Sequence, residues 1–195
     1  NSTVLNPDFV TAEINRLEIT PLVKEYVKVE PPPEIPNLNE IIYKTVSDIE
    51  PQFKVELGSA IHSVYDYLLG KTPEPRLALT LRNTFLSTDF VTPLVNSIDV
   101  PALAEPFLSK QFADATPIVI PNLDKYIKDI LTETTPAVKE QLINVSGPVF
   151  DYLLGITPTL TASVSLQEIN ASLTKVLLDP TLPDLGGISK STIQD

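Results

Sequence analysis

Apolar side chains recur at helical spacing through the middle of each half of the chain. From Leu38 they run through Ile42, Val46, Ile49, Phe53, Leu57, Ile61, Val64 and Leu68 at intervals of three or four, which places them on one face of an α-helix. Asn37 suits the N-cap of that helix, and Gly70 suits a left-handed residue just past its end. Pro51 lies inside the run and predicts a break or kink, with Glu50 opening the next helix. A second run of the same design starts at Asn122, passes Thr135 and Pro136, and stops at Gly155.

Shorter elements precede each run. Residues 8–17 and 89–98 carry Phe and aliphatic side chains three or four apart, and residues 21–29 and 101–112 form a second amphipathic piece. Thr20 and Asp99 stand just ahead of a proline, as an N-cap and first turn require. Proline-bearing connectors follow at 30–36 and 115–121, the first stiffened by Pro31, Pro32 and Pro33.

After each glycine stop the period changes to two. Leu77, Leu79 and Leu81 alternate with Ala78 and Thr80, and Ala162, Val164 and Leu166 alternate with Ser163 and Ser165. A lone strand leaves its backbone unsatisfied, so the two are expected to pair as a small antiparallel ribbon about a pseudo-twofold axis. The alternative is that both are helical connectors. A last helix over 166–178 ends at Asp179 and Pro180, and residues 181–195, with Gly186 and Gly187, read as linker.

The parallel between the halves extends to residue identity. The segment Val64-Tyr65-Asp66-Tyr67-Leu68-Leu69-Gly70 recurs as Val149-Phe150-Asp151-Tyr152-Leu153-Leu154-Gly155, an offset of 85. The same offset pairs Pro36-Asn37-Leu38 with Pro121-Asn122-Leu123, Ile42 with Ile127, Pro51 with Pro136 and Leu57 with Leu142. Upstream, Asp8-Phe9-Val10-Thr11 matches Asp89-Phe90-Val91-Thr92 at an offset of 81. One register held over so many positions marks a tandem duplication. The expected fold is mainly α: a duplicated helical unit, each copy contributing one short β-strand to the ribbon. Residues 1–86 form the first unit, 87–180 the second and 181–195 a tail, and the two units are expected to pack as one domain.

Composition narrows the function. With 43 % hydrophobic and 20 % charged residues the chain has an ordinary globular balance, and its 19 prolines suit many short elements with hard stops. Fourteen basic against 25 acidic residues give a net charge of −11, and the lysines are scattered among acids, so a nucleic-acid partner is not expected. Cysteine, methionine and tryptophan are absent, which removes disulfides, thiolate metal sites and cysteine nucleophiles and suits an oxidising exterior. No apolar run approaches the ~20 residues that cross a bilayer. The chain begins at Asn1, so it is expected to be a processed or excised piece, with any membrane anchor in segments outside it.

Chemistry-bearing motifs are scarce. The single histidine, His62, is replaced by Gly147 in the second copy and is expected on a helix surface or partly buried, and one histidine without cysteine cannot build a zinc site. No glycine-rich phosphate loop, nucleophile elbow or calcium loop occurs, and no cofactor is expected. The repeated Asp66 and Asp151 are candidates for a carboxylate pair across the twofold axis, or else face water and cap local backbone. Tyr65, Tyr67, Phe150 and Tyr152 flank them and are candidate ligand or inter-repeat contacts, or boundary residues of a helix end.

The opening Val4-Leu5-Asn6-Pro7-Asp8-Phe9, the segment from Val64 to Lys71 and the following Leu77-Ala78-Leu79-Thr80-Leu81 resemble extracytoplasmic regions of uncharacterised, membrane-anchored prokaryotic proteins. The resemblance implies a location at the cell surface beside a transmembrane segment. It brings no residue roles with it. Three functions follow, in order: a non-catalytic extracytoplasmic domain that binds a protein partner or transmits a signal, a carrier or sensor for a lipid or apolar small molecule held between the repeats, and a carboxylate enzyme built on Asp66 and Asp151.

Overall fold

The computed structural model describes residues 6–74, 76–115 and 123–177, the last four residues before the gap at 116 as backbone only. The second proline connector, the Asn122 cap, the end of the last helix and the tail at 181–195 lie wholly or partly outside the described residues. Eight helices are described: α1 (Pro7–Arg16), α2 (Ile19–Tyr26), α3 (Leu38–Leu68), α4 (Leu77–Asn83), α5 (Thr88–Ser97), α6 (Val100–Ala115), α7 (Leu123–Leu153) and α8 (Gln167–Leu177).

The duplication is written into the element bounds. Helices α3 and α7 each have 31 residues and begin and end at positions 85 apart. Helices α1 and α5 each have 10 and correspond at the offset of 81. Their caps correspond too: the side chain of Asn6 accepts from the Asp8 amide, and that of Ser87 from the Phe90 amide.

Among the described residues there is no strand, so the expected ribbon is not present. The first candidate, residues 77–81, lies in α4, and residues 160–166 form no regular element. Leu and Ala are strong helix formers, and alternation over five residues is too short to override them. The alternating side chains also mark no buried face, since Leu77, Leu79, Leu81, Val164 and Leu166 are all exposed. The Ser165 amide donates to the side chain of Gln141 at 2.9 Å.

Pro51 does not end α3, which continues through it. The proline lacks the N–H that would reach Ser47, a loss of about 3 kcal/mol in an ordinary helix. Ser47 is exposed, so water can serve its carbonyl. On either side of Pro51 the helix is anchored, by Glu50 to α2 and by Phe53 to an aromatic cluster.

The chain divides into two compact units, and both repeats contribute to each. The first comprises residues up to Glu30, Asn39–Ile98 and Leu142–Ser163; the second comprises Pro31–Leu38, Asp99–Gln141 and residues from Val164 on.

In the first unit, α1 and α2 both run antiparallel to α3. Asp8, Thr11 and Asn15 of α1 meet His62, Gly58 and Lys54 of α3. From α2 onward, Thr20 meets Glu50, the Val27 carbonyl accepts from Tyr43, and Val29 exchanges two hydrogen bonds with Asn39. The core is aromatic and branched: Phe90 is buried on α5 with Val91 and Val95, and its ring lies 6.4 Å from Phe53 and 5.7 Å edge-on from Phe85.

In the second unit the first half of α7 supplies the core. Tyr126, Ile127, Leu131, Thr134 and Ala137 are buried at helical spacing, and Tyr126 packs with Val176 of α8 and with Ile130. Ile35 is buried as well. Ion pairs join Lys110 to Glu34 and Lys175 to Glu133, each at 2.6 Å.

Candidate functional site

The candidate residues lie in the last turns of α3 and α7, and both turns belong to the first unit. Each helix ends in the same hydrogen-bonded cap. Gly70 and Gly155 adopt φ of 71° and 69°. The Lys71 and Thr72 amides donate to the Asp66 carbonyl at 2.8 and 3.2 Å, and those of Ile156 and Thr157 donate to the Asp151 carbonyl at the same two distances. The Gly70 and Gly155 amides reach the Tyr67 and Tyr152 carbonyls. These bonds satisfy two of the last free carbonyls of each helix, and the left-handed residue makes glycine the natural occupant.

Identical backbones carry the two aspartates into different side-chain pairs. Asp66 pairs with Lys71 of its own turn at 2.8 Å, in solvent. Asp151 pairs with Nε of Arg82, which α4 supplies, and this pair is about three-quarters buried. The Arg82 Nη1 also donates to the Leu86 carbonyl at 2.9 Å. Gly147 stands where the first copy has His62, and a Cβ there would lie 3.5 Å from Arg82 Nη2. Asp66 and Asp151 thus serve separate ion pairs.

Helix α4 touches the ends of both long helices. Besides the Arg82 pair to α7, its Thr80 hydroxyl lies 2.7 Å from the Ser63 hydroxyl of α3. Both helix ends also expose apolar side chains. Leu68 and Leu153, equivalent by the repeat, are 65 % and 70 % exposed. Tyr67, Tyr152, Leu69, Ile156 and Leu160 are exposed with them, while Tyr65 and Phe150 are half-buried.

Two clefts in the first unit have mixed linings. One of about 300 Å³ lies beside α4, with Ser59, Ser63, Arg76, Thr80 and Asn83 among its lining. The other, about 320 Å³, lies between α2 and α3 and includes Lys24, Glu40, Lys44 and Asp48. Among the described residues no group of three or more His, Cys, Asp or Glu side chains is placed to hold a metal ion. No described helix is long and apolar enough to cross a membrane.

Two side chains outside the candidate set are strongly engaged. Glu50 accepts from the Ile19 amide, the Thr20 amide and the Thr20 hydroxyl, and pairs with Lys54 at 2.8 Å. The Lys54 ammonium first, then the Thr20 hydroxyl, hold its carboxyl down to about 2. His62 lies partly exposed on α3, and hydrogen bonds to the Gly58 carbonyl and then to Asp8 raise its pKa. The only sequence cue to Arg82 is a cation closing the uncharged run Leu77-Ala78-Leu79-Thr80-Leu81.

Comparison with known proteins adds no relative. No family model matches the chain, and neither does any curated protein or solved structure.

Proposed function

We propose that this chain is a non-catalytic interaction domain of a membrane-anchored protein, acting outside the cytoplasm and meeting a protein partner through the apolar ends of α3 and α7. The observation that carries this reading is the matched exposure of Leu68 and Leu153, each beside an exposed tyrosine. In a chain of net charge −11, residues 152–167 contain no charged side chain. Leaving apolar surface in water forgoes about 25 cal/mol per Å² of burial, and apolar side chains left exposed at equivalent positions of both repeats supply what an interaction surface needs. Tyrosine at its edge suits a protein partner, since its ring packs and its hydroxyl still finds a polar group. The absence of methionine and cysteine supports an exterior location. The described clefts carry charged or hydroxyl side chains beside Leu79 in one and Tyr43 in the other, a mixed lining that favours a carrier of apolar molecules less than an all-apolar cavity would.

Hydroxyl-radical footprinting tests the reading. Tyr67 and Tyr152 are expected to be labelled freely in the purified domain and protected in the full-length protein on its native cells. Equal labelling in both settings would remove the apolar ends as the contact surface.

A further inference from the structure

Helix α1 sits on α3 along one short stripe. His62 Nε2 lies 2.9 Å from a carboxylate oxygen of Asp8, and Lys54 Nζ donates to the Asn15 carbonyl at 3.4 Å. Between them, buried Gly58 admits the Thr11 side chain so closely that an added Cβ would stand 2.9 Å from its Cγ2. No residue of α1 is buried. The repeat supplies a contrast: in α5 the same Asp-Phe-Val-Thr sequence places Phe90 at 6 % exposure, against 42 % for Phe9 of α1. Apolar packing retains α5, whereas polar contacts carry much of the hold on α1.

The ring of His62 is the centre of that hold. Its Nδ1 lies 2.8 Å from the Gly58 carbonyl oxygen, so both nitrogens face atoms that can only accept. A neutral imidazole has one N–H and leaves the other nitrogen's lone pair against an oxygen. Only the imidazolium satisfies both contacts.

We propose that His62 is a proton-operated latch: protonated, it holds α1 on α3, and on losing its proton it loosens α1 and uncovers the notch at Gly58. The hydrogen bond to the Gly58 carbonyl, followed by that to Asp8, raises the histidine pKa, and Asp66 adds a smaller attraction. Of the other charged groups on these elements, Glu13 pairs with Arg16 on α1, Lys54 with Glu50 on α3, Asp66 of α3 with Lys71, and Arg82 of α4 with Asp151, while Glu56 of α3 accepts from the side-chain amide of Gln52. A group whose folded pKa is raised stabilises the latched state fully below its unfolded value, near 6.5, and loses that effect as pH rises through the folded value.

The test is hydrogen–deuterium exchange of the α1 amides at pH 6 to 9, each rate normalised to its intrinsic value. In the native protein α1 opening is expected to rise by about two- to fivefold across the window, the scale of an exposed ion pair. The α5 amides serve as the internal control and stay level. In His62→Gln, and separately in Asp8→Asn, α1 opening is expected to be high and independent of pH. Opening that is flat in the native protein, or equally pH-dependent in His62→Gln, would overturn the proposal. The imidazole titration followed by NMR gives a second reading: Asp8→Asn is expected to move its midpoint down towards 6.5, and an unmoved midpoint would overturn the role of Asp8.

Discussion

The carboxylate of Glu50 caps helix α2 from outside it, accepting from the amide and the hydroxyl of Thr20 at 3.0 and 2.6 Å. The first turn of α2 has no side-chain cap of its own, since Glu18 at the N-cap position makes no such bond. A negative charge there also meets the positive end of the helix dipole. The second copy solves the same problem locally: Asp99 accepts from the Ala102 amide, and Thr135, which replaces Glu50, has a buried hydroxyl without a partner. Thr20, expected from sequence to be the cap, is instead a donor to Glu50.

Glu50→Gln is therefore expected to lower stability by about 1–2 kcal/mol at neutral pH, the range of a lost cap with a charge-assisted bond. The sign with pH follows from the depressed carboxyl. Its stabilising effect is complete above about 4.5 and is lost as pH falls towards about 2. Urea unfolding midpoints measured at pH 7 and pH 3 check this: the gap between native protein and Glu50→Gln should narrow in acid.

Asp66 and Asp151 occupy equivalent positions but should respond differently to the same change. The Asp66–Lys71 pair is solvent-exposed, so Asp66→Asn is expected to shift stability by less than about 0.5 kcal/mol. Asp151→Asn leaves Arg82 largely enclosed without its counter-charge and should cost about 1–3 kcal/mol. Urea unfolding of the two variants side by side reads the difference directly, and equal effects would contradict the separate pairing.

Gly70→Ala and Gly155→Ala should each cost about 1 kcal/mol. Nothing lies within 4 Å of an added Cβ at either position, so the cost comes from the left-handed φ alone. Asparagine, which tolerates that conformation, should recover part of it. Thermal unfolding of the alanine and asparagine variants at each site provides the check.

These glycines also show what the sequence makes legible. The offset of 85 placed both long helices and both stops, because periodicity and a left-handed terminator are local properties of the chain. Leu77–Leu81 forms a helix and not a strand because five alternating positions are too few to outweigh the helix propensity of Leu and Ala, and the contacts to Ser63 and Asp151 that hold it come from elsewhere in the chain. Pro51 leaves α3 unbroken for a related reason: the proline penalty is local, while the anchors offsetting it, α2 at Glu50 and the rings at Phe85 and Phe90, come from elsewhere in the chain. Arg82, Glu50 and the Asp8–His62 pair act across 30 to 69 residues of sequence, where no spacing rule reaches.

The close approach of α1 to α3 gives a final prediction. Glycine inside a helix ordinarily costs roughly 0.5–1 kcal/mol relative to alanine, so Gly58→Ala alone gains propensity but drives its methyl to 2.9 Å from Thr11 Cγ2. Thr11→Ser removes that methyl and nothing else. The two substitutions should therefore couple: Gly58→Ala is expected to be about 1 kcal/mol better tolerated in the Thr11→Ser background than in the native one. A thermodynamic cycle of the four proteins, read by urea unfolding, measures that coupling. Additive effects would mean that the Gly58 notch is not where α1 rests its side chain, and the seat of α1 would have to lie with His62 and Lys54 alone.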